Sequence, residues 1–240
     1  MDGFLILAIE TATGCGSIAL TRGDVQAGRL LGECTVQPEV SHSRRLLGSV
    51  RWLLDAAGVT WSALDGIGIS LGPGSFTGLR IGMAAAKGLA MATGLPLVGV
   101  GTLDGIALSC TASRERFCCL LDARKQEVYA AFYNPSERGV AVATGPPVAV
   151  RPERLLASLE RPVLMAGPGV AVYGDLFRHN PLVRTLPAAL AQPRAAHIGF
   201  LAAERLEQGR TLDPVTAAPL YVRASEAEVN LGKQQHEQKS

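Results

Sequence analysis

The stretch from residue 66 to residue 100 constrains the fold of this chain most strongly. Residues 66–71 (GIGISL) form a short apolar run that is typical of a buried strand. A glycine-rich turn (GPGSFTG) follows, and residues 79–93 then have the composition of a helix that ends at Gly94. Residues 95–100 (LPLVGV) predict the next buried strand. Strands that alternate with helices in this way predict an α/β protein.

The segments on either side extend this pattern. Three short strands at 4–9, 17–21 and 29–36, joined by short links, predict an antiparallel meander. Apolar residues at helical spacing then predict a helix at 44–57. The second half predicts the following elements: a hairpin of residues 116–122 and 127–133, a short helix at 152–160, a strand and glycine turn in VLMAGPGV, and a helix at 195–208 with Pro193 at its first position.

Composition excludes several classes of protein. The chain has 240 residues, of which 48% are hydrophobic, so it is not intrinsically disordered. Its net charge of +2 does not indicate a stand-alone nucleic-acid-binding protein. The uncharged stretches are too short to span a membrane, and MDGFLILAIE lacks the basic start of a signal peptide, so we expect a soluble, cytoplasmic protein. The five cysteines include no C-x-x-C pair and are expected to be structural thiols.

Two motifs resemble catalytic or nucleotide-binding signatures without matching them fully. The glycine pairs at 66–68, 72–74 and 99–101 are each followed by a glycine one position too late for G-x-G-x-x-G. Backbone N–H groups between Gly74 and Gly78 nevertheless precede a helix, where phosphate binds readily. The alternative is a tight strand-to-helix turn with no ligand.

The segment GISLG matches the G-x-S-x-G signature of serine hydrolases, with Ser70 as the nucleophile. Asp122 or Asp175 with His179 or His197 would have to complete the triad. The alternative is that Ser70 ends a buried strand.

Small residues mark the helix after the glycine turn. Gly78, Gly82, Ala86 and Ala90 form one row at four-residue spacing, and Ala84, Gly88 and Ala92 form another. Such rows allow close helix packing, either on the protein's own sheet or on a partner. In the preceding helix, Trp52 lies nearly opposite the apolar stripe, a position that favours an interface.

Together these features resemble a known family. The resemblance is carried by ILAIETATGCGSIAL, SHSRRLLGSVRWLLDAAG, GISLGPGSFTGLRIGMAAAKGLAMATGLPLVGVGTLDGIA, LLDARKQEVYAAFY and PLYVRASEAE. These segments are similar to the TsaB (YeaZ) family of the bacterial machinery that makes threonylcarbamoyladenosine in tRNA. The resemblance implies an α/β, actin-like ATPase (ASKHA) fold with two lobes, each opening with a β-meander or hairpin followed by helices. We expect an N-terminal lobe at 1–107, a C-terminal lobe at 108–224 and a polar tail at 225–240.

The resemblance also implies that this chain is not itself an enzyme. TsaD, the catalytic paralogue, has an acidic pair where Gly14 and Cys15 stand here, and metal-binding histidines where Thr102 and Ile106 stand here. TsaD also has a glycine-rich phosphate loop where this chain has the turn at 122–126. The implied function is a scaffold that binds and activates TsaD for transfer of the threonylcarbamoyl group to the tRNA adenosine following the anticodon. The alternatives are a serine hydrolase using Ser70 and a glycoprotease-like metallopeptidase.

The implied partners are TsaD in a heterodimer, TsaE, and tRNA through the complex. Whether the chain alone is a homodimer or a monomer stays open at this point. ATP and a metal would belong to partner subunits, with no cofactor tightly bound and no metal site here. The implied interface comprises His42, Arg45, Leu46, Ser49, Trp52, Leu53, Thr77, Gly78, Arg80, Ile81, Gly82, Ala85, Ala86 and Leu89. A vestigial nucleotide loop would comprise Thr11, Thr13, Gly72, Gly74 and Ser75.

Overall fold

Two β-sheets organise the chain, and the computed structural model describes residues 3–36, 43–136 and 140–223. The first sheet has the strand order β3-β2-β1-β4-β5. Its strands are β1 (Leu5–Glu10), β2 (Gly16–Arg22), β3 (Arg29–Val36), β4 (Gly66–Gly72) and β5 (Leu97–Gly101). The first three strands are antiparallel neighbours, so the predicted meander is confirmed, while β1, β4 and β5 run parallel.

Helices cover both faces of the first sheet. The helices are α1 (Ser43–Ala57), α2 (Phe76–Thr93) and α7 (Ala195–Glu207). Every side chain of β1 is buried, because successive residues alternate between the two covered faces. Leu5, Leu7 and Ile9 join the core beneath α1 and α2, whereas Ile6 and Ala8 join the core beneath α7.

The position of α7 corrects the expected lobe boundary. The two sheets do fall on either side of residue 107 in the sequence, but α7 packs on β1, β2 and β4, so the helix expected in the C-terminal lobe lies on the first sheet. Glu33 of β3 holds the start of α7, since its carboxylate accepts the Ala196 N–H and pairs with Arg194. Arg194 is therefore the N-cap, and Pro193 precedes it instead of occupying the first helical position.

The second sheet has the order β11-β10-β6-β7-β8, with β9 also paired to β7. Its strands are β6 (Phe117–Arg124), β7 (Glu127–Asn134), β8 (Val142–Ala143), β9 (Val148–Val150), β10 (Val163–Ala166) and β11 (Val183–Thr185). The helices α4 (Pro152–Ala157), α5 (Pro168–Val172) and α6 (Gly174–Arg178) accompany it, and α3 (Thr102–Ala107) connects the two sheets. The predicted hairpin is confirmed as β6 and β7. We call the first sheet with α1, α2 and α7 the first lobe, and the second sheet with α4–α6 the second lobe.

The thiols lie mostly in cores. All five cysteines are free, and Cys110, Cys118 and Cys119 are buried beside the second sheet, while Cys15 and Cys34 are half-buried. None of the helices within the described ranges combines the length and apolar character needed to cross a membrane.

The start of α2 lies against the end of β1. The helix begins at Phe76, three residues earlier than predicted, because the Ser75 hydroxyl accepts the Gly78 N–H and caps it. It ends at Thr93, and Gly94 caps it as predicted, with a left-handed φ of 72°. A Cβ at Gly78 would overlap the carbonyl oxygen of Thr11, and one at Gly82 would overlap the Thr11 hydroxyl. The row from Gly78 to Ala90 therefore packs on the protein's own sheet.

This close approach gives a matched pair of glycine variants within one helix. Gly78→Ala should lower the free energy of unfolding by about 1–3 kcal/mol, because the added methyl forces the helix away from Thr11. Gly88→Ala should raise it by about 0.5–1 kcal/mol, because a Cβ there meets nothing within 4 Å and glycine is unfavourable inside a helix. Urea unfolding of both variants measures the difference. Equal effects of the two substitutions would contradict the packing described.

Candidate partner interface and cleft

The solvent side of α1 exposes two large apolar side chains beside the ion pair of Arg51 and Asp55. Leu46, Val50 and Leu53 point into the core of the first lobe. Away from this core, Trp52 is 59% exposed and Leu47 is 54% exposed. Large apolar side chains exposed to water on a helix are typical of a protein interface.

The outer face of α2 is formed by small residues and one large apolar residue. Ala84, Gly88 and Ala92 are exposed, which is the second of the two small-residue rows. Met91 beside them is 65% exposed. Because the side chains in this row are short, another backbone can come close to α2 here. We call the exposed residues Leu47, Trp52, Ala84, Gly88, Met91 and Ala92 the outer helix face.

The structure divides the expected interface residues into three groups. Exposed or half-buried, and so available to a partner, are Ser49, Trp52, Thr77, Arg80, Ile81, Ala85 and Leu89. Buried in the first lobe, and so unavailable, are Leu46, Leu53, Gly78, Gly82 and Ala86. The expectation for this second group was wrong, because these residues form the inner faces of α1 and α2. His42 and the side chain of Arg45 lie outside the described part of the chain.

A cleft of about 610 Å³ separates the two lobes. The first lobe contributes the β1–β2 turn and the start of α2, and the second contributes the β6–β7 hairpin and the start of α5. The lining residues are Ala12, Thr13, Gly14, Gly74, Ser75, Phe76, Leu121, Asp122, Ala123, Arg124, Lys125, Tyr129, Pro168, Tyr221 and Arg223. Sequence reasoning did not predict that Tyr221 and Arg223 line the cleft. The sequence marks these two residues only by their place in PLYVRASEAE, one of the segments that resemble the TsaB family.

The expected nucleotide loop is only partly at this cleft. Thr13, Gly74 and Ser75 line it, as expected for a loop beside a ligand cleft. Thr11 and Gly72 do not: Thr11 is buried beneath α2, and Gly72 has a φ of 114° that places it against the Leu220 carbonyl. Both residues lie at close contacts between chain segments, Thr11 against the glycines of α2 and Gly72 against Leu220.

The hairpin wall of the cleft has no glycine. Arg124, Lys125 and Gln126 all have left-handed φ values near 60°, although none is a glycine. Asp122 supports this turn, since its carboxylate accepts the Arg124 N–H at 2.9 Å and lies 3.6 Å from the Arg124 guanidinium. Three side chains therefore project where the catalytic paralogue is expected to have a bare phosphate loop. Within residues 3–36, 43–136 and 140–223, no group of three or more His, Cys, Asp or Glu side chains could hold a metal ion.

Ser70 is a buried strand residue, so the serine hydrolase alternative is wrong. Its hydroxyl accepts the Thr11 N–H at 3.5 Å, and the residue has no exposed surface. Strand β4 continues past Ser70 to Gly72, so Ser70 does not lie on a turn between strand and helix. The two candidate histidines bond to backbone oxygens instead, His179 to that of Asp175 and His197 to that of Gly105.

Glu10 is an acid buried at the end of β1. Burial raises its pKa to about 7, and hydrogen bonds from the Ala12 N–H and from Ser70 offset only part of that effect. One of its carboxylate oxygens has no hydrogen-bond partner in the structure. The folded protein therefore holds a proton here at a pH where an unfolded glutamate has lost it.

The raised pKa of Glu10 predicts a pH-dependent stability. As pH rises from 4.5 to 7, the unfolded glutamate ionises while the folded one stays protonated, so the free energy of unfolding should fall by up to about 3 kcal/mol. Glu10→Gln should remove this fall, because the amide does not titrate. Urea unfolding of both proteins between pH 4.5 and 8 measures it, and parallel pH curves would contradict the assignment.

Comparison with known proteins adds independent evidence. A family model described as "TsaD: tRNA N6-adenosine threonylcarbamoyltransferase" matches residues 36–231. The Escherichia coli "tRNA threonylcarbamoyladenosine biosynthesis protein TsaB" is 31% identical over 223 residues, which is 91% of this chain and 94% of that protein. A Paracoccus denitrificans tRNA N6-adenosine threonylcarbamoyltransferase is 38% identical over 119 residues, but these are only 33% of that enzyme.

The solved structures agree with the sequence relatives. YeaZ from Pseudomonas aeruginosa superposes with a TM-score of 0.76 at 33% identity, covering 91% of this chain and 99% of that one. The expected two-sheet α/β fold, related to actin-like ATPases, is thereby confirmed. Because the match runs the full length of TsaB and YeaZ but only a third of the transferase, this chain belongs to the TsaB (YeaZ) family of tRNA threonylcarbamoyladenosine biosynthesis proteins.

Proposed function

We propose that this chain is a non-catalytic scaffold subunit that binds TsaD and activates it for transfer of the threonylcarbamoyl group to the tRNA adenosine following the anticodon. The observation that carries the proposal is the outer helix face. Trp52, Leu47 and Met91 each expose more than half of their surface, on two helices whose inner faces are packed in the core. Burying such side chains against a partner is favourable by about 25 cal/mol for each Å² of apolar surface removed from water.

The form of this face supports a helical partner. The row of Ala84, Gly88 and Ala92 has no side chain longer than a methyl group, so a helix of the partner can lie close along α2. Trp52 and Met91 flank such a contact as anchors, the residue types that contribute most to interfaces. TsaD, as the paralogue implied by the resemblance, would present the equivalent pair of helices.

The cleft supports a non-catalytic role. Its hairpin wall is lined by Arg124 and Lys125 in place of a bare phosphate loop, and the Asp122 carboxylate is bonded to Arg124. The metallopeptidase alternative has no ligand set among the residues that the structure describes. In this proposal ATP and the metal are bound by partner subunits, TsaE and tRNA join through the complex, and the assembly works in the cytoplasm.

A bulky residue on the outer helix face should block the partner without harming the fold. Gly88→Leu puts a large side chain where a Cβ meets nothing within 4 Å, so the variant should fold and TsaD should no longer co-elute with it. Gly145→Leu is the matched control, because Gly145 is equally open but lies beside the second sheet. Size-exclusion chromatography with TsaD measures binding. Co-elution of folded Gly88→Leu at wild-type affinity would contradict the interface.

Reconstitution tests activation separately from binding. TsaD, TsaE and the activated donor should modify tRNA with this chain present and lose most of that activity without it. Glu10→Gln should restore activity as well as the wild-type chain does, since a scaffold needs no acid in its first lobe. A chain that modifies tRNA without TsaD, or an inactive but TsaD-bound Glu10→Gln variant, would contradict the non-catalytic role.

A further inference from the structure

The segment that follows α7 crosses from the first lobe to the second without forming a helix or strand. We call residues 212–223 the strap. The Leu212 N–H donates to the Leu97 carbonyl at 2.8 Å, and the Leu220 N–H donates to the Leu71 carbonyl at 2.7 Å. These two bonds fasten the strap to β5 and to the end of β4.

Two cations of α2 hold the middle of the strap. Lys87 Nζ donates to the carbonyls of Val215 and Ala217, both at 3.0 Å. Arg80 Nε donates to the Tyr221 hydroxyl at 3.1 Å, and its guanidinium lies 3.8 Å from the centre of the Phe76 ring. Arg80 and Lys87 are seven residues apart, so they project from the same side of the helix.

The end of the strap is bonded to the hairpin of the second lobe. Arg223 pairs with Glu127 at 2.9 Å and donates to the Ala123 carbonyl at 3.3 Å. This pair is about one-third exposed, and Arg223 and Tyr221 both line the cleft. The strap is therefore a wall of the cleft as well as a link between the lobes.

We propose that the strap couples the outer side of α2 to the cleft. It has two arrangements: in one, Arg223 is bonded to the β6–β7 hairpin and the cleft wall is closed; in the other, Arg223 is released. The column of Arg80, Ala84, Lys87 and Met91 connects the two sites, because its charged members hold the strap and its apolar members are open to a partner. Val215, 71% exposed, lies beside Lys87 on the same side.

Coupling of this kind is reciprocal. Whatever stabilises the strap on α2 must stabilise the hairpin, and whatever holds the hairpin must stabilise the strap. The inference concerns the isolated chain and does not rest on the proposed function, so its test needs no TsaD.

Amide hydrogen exchange of the isolated chain tests both directions. Lys87→Met removes the bonds to Val215 and Ala217, and should speed exchange about tenfold in residues 121–129 as well as in the strap. Glu127→Ala removes the acceptor of Arg223, and should speed exchange by a similar factor at Leu212 and Leu220.

The matched controls are Arg51→Met, which breaks the exposed pair with Asp55, and Glu115→Ala, which breaks the pair with Arg184. Neither control should change the exchange rate in residues 121–129 or at Leu212 and Leu220.

Tyr221→Phe gives a milder variant that keeps the ring and removes only the hydroxyl bonded to Arg80. It should also speed exchange in residues 121–129, by a smaller factor than Lys87→Met. Faster exchange at both ends in the strap variants supports the coupling. Faster exchange confined to the altered end, or equal changes in the controls, overturns it.

Discussion

The contact between α2 and the end of β1 determines most of the remaining structure. Gly78 and Gly82 allow the helix to lie directly on Thr11, closer than any side chain would permit. That approach buries Thr11 beneath the helix, places Ser75 and Phe76 at the cleft, and turns Ala84 and Gly88 outward. Glycine inside a helix costs about 0.5–1 kcal/mol each, and close packing on the sheet offsets that cost.

Glu10, the last residue of β1, is a buried carboxyl group. A carboxyl group at the end of a parallel strand often serves a ligand, but this one is only 1% exposed to water. Burial favours the neutral form and raises the pKa of Glu10 to about 7, so a large share of this carboxyl group holds a proton at neutral pH and attracts a metal ion less strongly. The hairpin wall of the cleft carries another acid, Asp122, whose carboxylate is bonded to Arg124. Both observations support the accessory role proposed above.

Sequence reasoning predicted most elements well, but it predicted which side chains of α1 and α2 are exposed only in part. The hairpin of β6 and β7, the meander and the αL residue at Gly94 follow from local patterns, because alternation, helical spacing and glycine conformations are properties of neighbouring residues. The two small-residue rows of α2 were also visible. Spacing shows which residues share a helix face, but both rows were small enough to meet a sheet or a partner. The expected interface therefore included Gly78, Gly82 and Ala86, which are buried, and omitted Ala84, Gly88 and Met91, which are exposed.

The sequence by itself determined the strands of the first sheet, the β6–β7 hairpin, the three longer helices and the family to which the chain belongs. Only the tertiary structure decided that α7 lies on the first sheet, that Ser70 is buried, and that Tyr221 and Arg223 line the cleft. The physical reason is that these placements depend on bonds between distant residues. Arg80 meets Tyr221 and Glu127 meets Arg223 across roughly a hundred residues of chain or more. No local pattern of hydrophobicity or charge records such a contact, because it exists only once both sheets have formed.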